Sequence, residues 1–267
     1  MKLEVLDLNF AYNGTPVLKD VSFSVNEKIT AVIGPNGAGK STLMSCIAGI
    51  QKPSGRVFLD DTDVSLMNEE IIATSISYLP QDAPSKAVIS VLEAVLLGRL
   101  HTLRWKAYHE DLEIAYKTLT DLGIETLAKR SLNQLSGGQR QMVSIAQAIV
   151  KEPDILLMDE PTNSLDLQHQ LELFDLIEEI SDERNITTLV ALHDLNLAAR
   201  YADNIVVLNS GMVCSSGPPD EVLNCEMIES VYGVHADVSS DPDGYIHVCP
   251  KCSVKGRERK INRRENT

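Results

Sequence analysis

The chain lacks any run near the ~18 consecutive apolar residues that a membrane-spanning helix needs, although 43% of its 267 residues are hydrophobic. Its opening residues, Met1, Lys2, Leu3, Glu4 and Val5, turn charged too soon for a secretory signal, so the protein is expected to stay in the cytoplasm. Cysteine is sparse and odd in number, five in all (Cys46, Cys214, Cys225, Cys249, Cys252), which argues for reduced thiols over a disulfide framework. Cys249 and Cys252 form a C-x-x-C, but two thiolates are half of a structural zinc's ligand set and no second pair completes it. Positive charge is outnumbered, 24 basic residues against 38 acidic for a formal charge of −14, which disfavours nucleic acid as a partner of the main body. Internal repeats and low-complexity tracts are missing too.

Basic residues gather only at the end, where Lys255, Arg257, Arg259, Lys260, Arg263 and Arg264 crowd together. That run suits an anionic surface, yet a charged, apolar-poor terminus is ordinarily a solvated end, and a disordered basic tail is expected over 249–267. The rest is long enough for one domain with a subdomain and too short for two complete ones.

Leu3, Val5, Leu6 and Leu8, then Val21, Phe23 and Val25, alternate on either side of Asn13 and Gly14, which predicts an antiparallel strand pair. Thr30 to Ile33 is a short apolar strand running into a glycine-rich loop, after which Leu43, Ile47 and Ile50 follow at helical spacing. Val91, Val95, Leu112, Ala115, Leu119 and Leu122 also sit at helical intervals, the mark of a helical insert over about 88–150. Ile155 to Met158 and Thr187 to Leu192 are apolar runs too short for helices, each followed by a helical pattern, as parallel strands joined by crossovers would be.

Gly34, Pro35, Asn36, Gly37, Ala38, Gly39, Lys40, Ser41 and Thr42 match G-x-x-x-x-G-K-[ST] where a strand hands over to a helix. The glycines let backbone N–H groups converge on phosphate oxygens, Lys40 neutralises β and γ charge, and Ser41 Oγ is placed for Mg²⁺. A tight turn would explain the glycines but not a lysine and a hydroxyl at the loop's mouth. The strand Ile155 to Met158 ends in two adjacent carboxylates, with Asp159 assigned to the metal and Glu160 to the general base. Leu135, Ser136, Gly137, Gly138 and Gln139 precede a helix with Met142, Ile145, Ala146 and Ile149 on one face; a capped, glycine-exposed N-terminus there makes a second anion site. One chain with two phosphate-binding halves implies two copies docked head to tail, each closing the other's site.

In this order the motifs resemble the nucleotide-binding subunits of ABC transporters, from Leu3 to about Val248. The resemblance implies a P-loop NTPase fold of class α/β, with a mostly parallel sheet and flanking helices, an N-terminal antiparallel β subdomain and a helical insert in an ATPase domain over 1–248. It implies ATP and Mg²⁺ as ligands, and Tyr12 stacked on adenine, with Phe10 the alternative. Gln81, in Tyr78-Leu79-Pro80-Gln81, would reach the metal and the attacking water. Asp166, in Ser164-Leu165-Asp166, would couple the two sites of a homodimer; read on its own it is a helix N-cap. His193, in Leu192-His193-Asp194, would reach the γ-phosphate. The implied partners are transmembrane permease subunits, received by a surface between Gln81 and about His109 at the cytoplasmic face of the membrane, and indirectly a substrate-binding protein.

Val91 to Arg99, Gln168-His169-Gln170, His193 to Ala198, and Tyr232-Gly233-Val234 with Gly244 and His247 are similar to the importers of iron siderophores, haem and cobalamin. The alternative is an ABC-type ATPase without a transport role, such as a cluster-assembly scaffold. A repair clamp would carry a long coiled coil between the two phosphate motifs, a ribosome factor would carry two cassettes, and a P-loop kinase would lack the Leu135 to Gln139 segment.

Overall fold

The computed structural model describes residues 1–26, 28–81, 88–99, 109–163 and 165–255. The expected opening pair is present: β1 (Leu3–Tyr12) runs antiparallel to β2 (Thr15–Val25), and β4 (Ser54–Leu59) with β5 (Thr62–Asp63) completes a sheet of order β2-β1-β4-β5. The second sheet has order β10-β9-β3-β8-β7-β6, built from β3 (Ile29–Ile33), β6 (Ile76–Leu79), β7 (Ile155–Asp159), β8 (Thr187–Ala191), β9 (Asn204–Asn209) and β10 (Met212–Gly217). All its pairings are parallel except the edge pair β9 and β10.

β3, β7 and β8 are buried from end to end, which is why they read as unbroken apolar runs. Their alternating side chains enter two different cores. Ala31, Ile33, Leu156, Met158, Val190 and Val207 join one, with the helices; Val32, Ile155, Leu157, Leu189, Ala191 and Val206 join the other, with the first sheet. The first core is covered by α3 (Val91–Leu97), α4 (His109–Asp121), α5 (Gly137–Ile149), α6 (Leu167–Arg184), α7 (Leu195–Tyr201) and α9 (Cys225–Tyr232); α1 (Lys40–Ile47) belongs to the second. α2 (Glu69–Ser75) and α8 (Pro219–Val222) complete the α-helices among the described residues. Phe174 of α6, wholly buried, stacks on Tyr201 of α7 with ring centroids 5.0 Å apart. Burying a side chain of that size is worth ~1.5–3 kcal/mol.

The insert is tied together by polar contacts as well as packing. Ser90 and Glu93 form a capping box at the start of α3. Arg99, just past its end, pairs with the buried Asp111 of α4 at 2.9 Å and donates to the Val150 carbonyl beyond α5, also at 2.9 Å.

Two expectations need correction. Helix α1 stops at Ile47 rather than continuing to Ile50, because Gly49 turns left-handed (φ 73°) just after the last turn and leaves Ile50 60% exposed. The expected disordered tail from 249 is overturned as far as Lys255: β12 (Ile246–Ser253) runs straight through the boundary at Val248 and pairs with β11 (Val234–Ser240). Val248, 3% exposed, anchors that hairpin in the core, while most of its other residues are polar and solvent-facing, so the alternation is weak in the sequence. Cys249 and Cys252 both lie on β12, opposite Asp237 and His235 of β11, with a register shift of the hairpin between them. The basic residues from Arg257 onward lie outside the described residues.

Candidate active site

Strand β3 carries the chain to the carboxyl edge of the parallel sheet, where Gly34 starts the loop. Gly34 adopts φ 153° and sits so close to β9 that a Cβ would lie 2.0 Å from the Leu208 carbonyl oxygen. Gly39, at φ 107°, forms the N-cap of α1 and has Leu18 where a Cβ would point. Lys40 opens α1 and is 5% exposed; its ammonium donates to the carbonyls of Gly34 at 3.0 Å and Pro35 at 3.4 Å. Burial pulls its pKa down, opposed by the charges of Glu160 and Asp159.

β7, adjacent to β8 and β6, delivers the two carboxylates. Asp159 is 2% exposed and accepts from the Ser41 hydroxyl, while its Oδ1 has no hydrogen-bond partner among the described residues. Burial raises its pKa above the ordinary carboxylate value; the Ser41 bond works against that shift. A hydroxyl beside a carboxylate oxygen with nothing to bind is a hard, all-oxygen donor set, which fits Mg²⁺ filled out by water and phosphate oxygens.

Glu160 turns the chain away from the strand at φ 51°, a left-handed conformation costing a non-glycine residue ~1 kcal/mol. Its N–H bonds the Ala191 carbonyl at 3.1 Å, which holds the turn open. The carboxylate is gripped by three side chains: Gln81 donates to Oε2 at 2.8 Å, Asn163 donates to Oε2 at 2.6 Å, and His193 Nε2 contacts Oε1. Gln81 thus arrives from the end of β6 and His193 from the end of β8, two strands that flank β7.

These groups line one cavity of about 550 Å³: Tyr12, Val17, Asn36, Gly37, Gly39, Lys40, Ser41, Thr42, Gln81, Glu160, Asn163 and His193. Tyr12, 47% exposed, stands at its rim, and Phe10 packs edge-on behind it at 4.8 Å. Between the two aromatic candidates the structure therefore puts Tyr12 at the cavity and Phe10 against the core of the first sheet. Asn163 was not foreseen; the sole trace of it in the sequence is its place in the turn three residues after Glu160.

Ser136, Gly138, Gln139 and Asp166 are not in this cavity. They border a second one of about 590 Å³, with Met142, Leu165, His169 and Glu172 and an apolar wall from Leu122 to Leu127. Ser136 Oγ accepts from the Gln139 N–H at 3.2 Å and the Gln139 side chain accepts from the Ser136 N–H at 3.1 Å, so α5 begins with a capping box on Gly137. Asp166 caps α6 by accepting from the His169 N–H at 3.1 Å, and its carboxylate lies 2.6 Å from His169 Nδ1. Those bonds hold the Asp166 pKa below the ordinary carboxylate value and the pairing lifts that of His169. Of the surface expected to receive a membrane subunit, 82–87 and 100–108 lie outside the described residues, as does Ser164.

The ABC transporter family model matches residues 18–163. The chain is 43% identical to an uncharacterized ABC transporter ATP-binding protein of Methanocaldococcus jannaschii, over 90% of this chain and 94% of that one. It is 35% identical to the petrobactin import ATP-binding protein of Bacillus anthracis, covering 98% and 96% of the two chains. A cobalamin import ATP-binding protein of Halobacterium salinarum is 35% identical over 94% of this chain and 64% of its own length. Among solved structures, an ABC transporter of metal-chelate type in an inward-facing conformation superposes with a TM-score of 0.80 at 30% identity, covering 93% of this chain and 96% of the other. A dimeric ATP-binding cassette bound to ADP and phosphate matches at TM-score 0.71 and 28% identity, over 81% of this chain and 98% of that one. With a loop for phosphates, a gripped carboxylate beside it and a family match over more than half its length, this chain belongs to the ABC transporter family as an ATP-binding subunit.

Proposed function

We propose that two copies of the chain bind ATP with Mg²⁺ between them and hydrolyse it to drive import of a ferric siderophore, haem or cobalamin. The observation that carries this is the Glu160 carboxylate, fixed by Gln81, Asn163 and His193 in the same cavity as Lys40 and Ser41. The triphosphate lies along the loop from Gly34 to Thr42, whose N–H groups and helix N-terminus favour anionic oxygens. Lys40 moves from the loop carbonyls to the β and γ oxygens. Ser41, Asp159 and Gln81 would hold Mg²⁺, which would supply charge neutralisation to the phosphates there.

Glu160 accepts a proton from the attacking water as that oxygen bonds to the γ-phosphorus and the bond to the ADP oxygen breaks, leaving ADP and phosphate. His193, against Glu160, is within reach to sense the γ-phosphate, and Tyr12 offers its ring to adenine. Ser136, Gly137, Gly138 and Gln139 close over the γ-phosphate bound by the other copy, with Asp166 passing the state of one site to the next. Support for a head-to-tail pair is that one chain carries the two halves in separate cavities. Permease subunits in the membrane take up the motion at the cytoplasmic face, and a substrate-binding protein delivers the cargo. Transport class is supported by relatives named for petrobactin and cobalamin import.

Co-purification with the membrane partner, followed by ATPase assays on the reconstituted complex with ferric siderophores, haem and cobalamin, tests the proposal. Stimulation by one of them is the expected result; ATP hydrolysis indifferent to all three classes would sink the importer reading.

A further inference from the structure

Two amides meet on one oxygen of the Glu160 carboxylate, and they are supported differently. Gln81 arrives from the end of β6, whereas Asn163 reaches Oε2 at 2.6 Å from an exposed position in a turn. Ordering an exposed side chain costs rotamer freedom, and one hydrogen bond within reach of water returns little of that free energy. A backbone held in place from elsewhere lowers the cost.

Gln170, half-buried near the start of α6, supplies that hold. Its Nε2 carries two N–H groups, and they meet two different carbonyls: Thr162 at 3.3 Å and Leu165 at 3.2 Å. The Thr162 carbonyl belongs to the peptide that leads into Asn163, and it also accepts from the Leu165 N–H at 3.0 Å. The other edge of that peptide, the Asn163 N–H, bonds the Glu160 carbonyl at 3.4 Å. Both edges of the peptide plane are thus tied, one to Glu160 and one to α6. The Leu165 carbonyl belongs to the peptide that leads into Asp166, the N-cap of α6. One side chain therefore fastens the turn at both ends, between Asn163 of the first cavity and Asp166 of the second. The helix behind it is a firm anchor, with Leu173, Phe174 and Ile177 buried in the core.

We infer that Gln170 is a positioning residue for hydrolysis: it holds the turn from Thr162 to Leu165 so that Asn163 keeps the Glu160 carboxylate aimed at the attacking water. The inference rests on the reading of this cavity as the ATP site with Glu160 as its base. Gln170 is not among the described residues lining either cavity, so its loss should slow turnover and leave nucleotide binding alone.

Gln170→Met keeps the length of the side chain and removes both N–H donors. In the complex with its membrane partner, kcat should fall about three- to tenfold, the effect of loosening one hydrogen bond to a charged group. KM for ATP should hold, and titration calorimetry on the full chain should give the unsubstituted protein's ATP stoichiometry. Asn163→Ala should lower kcat by a similar factor, and Gln170→Met combined with Asn163→Ala should be no slower than Asn163→Ala alone, since one acts through the other. A structural role alone would make the two losses multiply and would lower the binding stoichiometry as inactive chain accumulates. Gln170→Glu, whose charge suits a helix N-terminus, carries the same expectations should the methionine variant not fold. Unchanged kcat, or losses that multiply in the double variant, would overturn this inference and spare the ATP-site reading. Failure of the unsubstituted chain to bind and hydrolyse ATP would overturn both.

Discussion

The two cavities of this chain are built from unlike materials. The one around Lys40 gathers ionisable groups: a buried ammonium at the start of α1, a buried carboxylate past the end of β7 and a partly exposed imidazole past the end of β8, each with a partner inside the same chain. The one around Ser136 is a helix start whose serine and glutamine are already engaged with each other, beside an exposed ion pair and an apolar wall. The first holds the ammonium, the hydroxyl and the loop on which the proposed phosphate site rests. The second has backbone N–H groups and a helix dipole to offer but no lysine or arginine among its described lining residues, which suits the proposed role of completing a site that another copy supplies.

That division of labour can be broken from either side. The largest effect is expected from Glu160→Gln: turnover should fall by ~10²–10⁴ with the proton acceptor gone, while size-exclusion chromatography with ATP shows a dimer that persists. A monomer under those conditions would refute the head-to-tail model. Gly34→Ala should come next, since the added Cβ meets a backbone carbonyl that cannot move without dragging β9; a loss of about 3 kcal/mol is expected in denaturant melts.

Ser136→Ala sharpens the contrast. Loss of the cap should cost about 1 kcal/mol of stability, and ATP-driven dimerisation should weaken while a single copy binds ATP as before, as seen by titration calorimetry. If single-copy ATP affinity fell as far as dimerisation did, the two cavities would not be separate halves. The smallest effect concerns His169 and Asp166. The folded pKa of His169 is raised, so its stabilisation is complete below the ordinary imidazole value of 6.5 and is lost as pH climbs through the raised value. That of Asp166 is lowered, so its stabilisation is present above 3.8 and lost as pH falls through the lowered value. The pair therefore contributes between those limits, and the Tm difference between wild type and His169→Ala should peak near pH 5 to 6 and shrink toward pH 8. A difference independent of pH would dismiss the pairing.

Much of the first cavity was legible because its chemistry is local. Nine consecutive residues, Gly34 to Thr42, hold both the backbone geometry and the charge for phosphate, and a buried strand ending in Asp159-Glu160 announces its carboxylates by position. Gln81 and His193 could be named only through family resemblance, because their strands lie on either side of β7 for reasons of sheet order. Asn163 went unnoticed since a polar residue in a turn has many ordinary explanations. The hairpin of β11 and β12 was cut short at Val248 because only a few of its residues face the core, too few to register as alternation.

From the residues alone came the phosphate loop, the paired carboxylates, the capped glycine-rich helix and the parallel strands, each a pattern whose physics acts within a few residues. Tertiary structure decided which groups hold Glu160, that Ser136 and Lys40 stand in different cavities, and that Asn196 clasps Val248 of the C-terminal hairpin. Those outcomes depend on packing between segments tens to hundreds of residues apart, where no short-range preference of backbone or side chain can specify the neighbour.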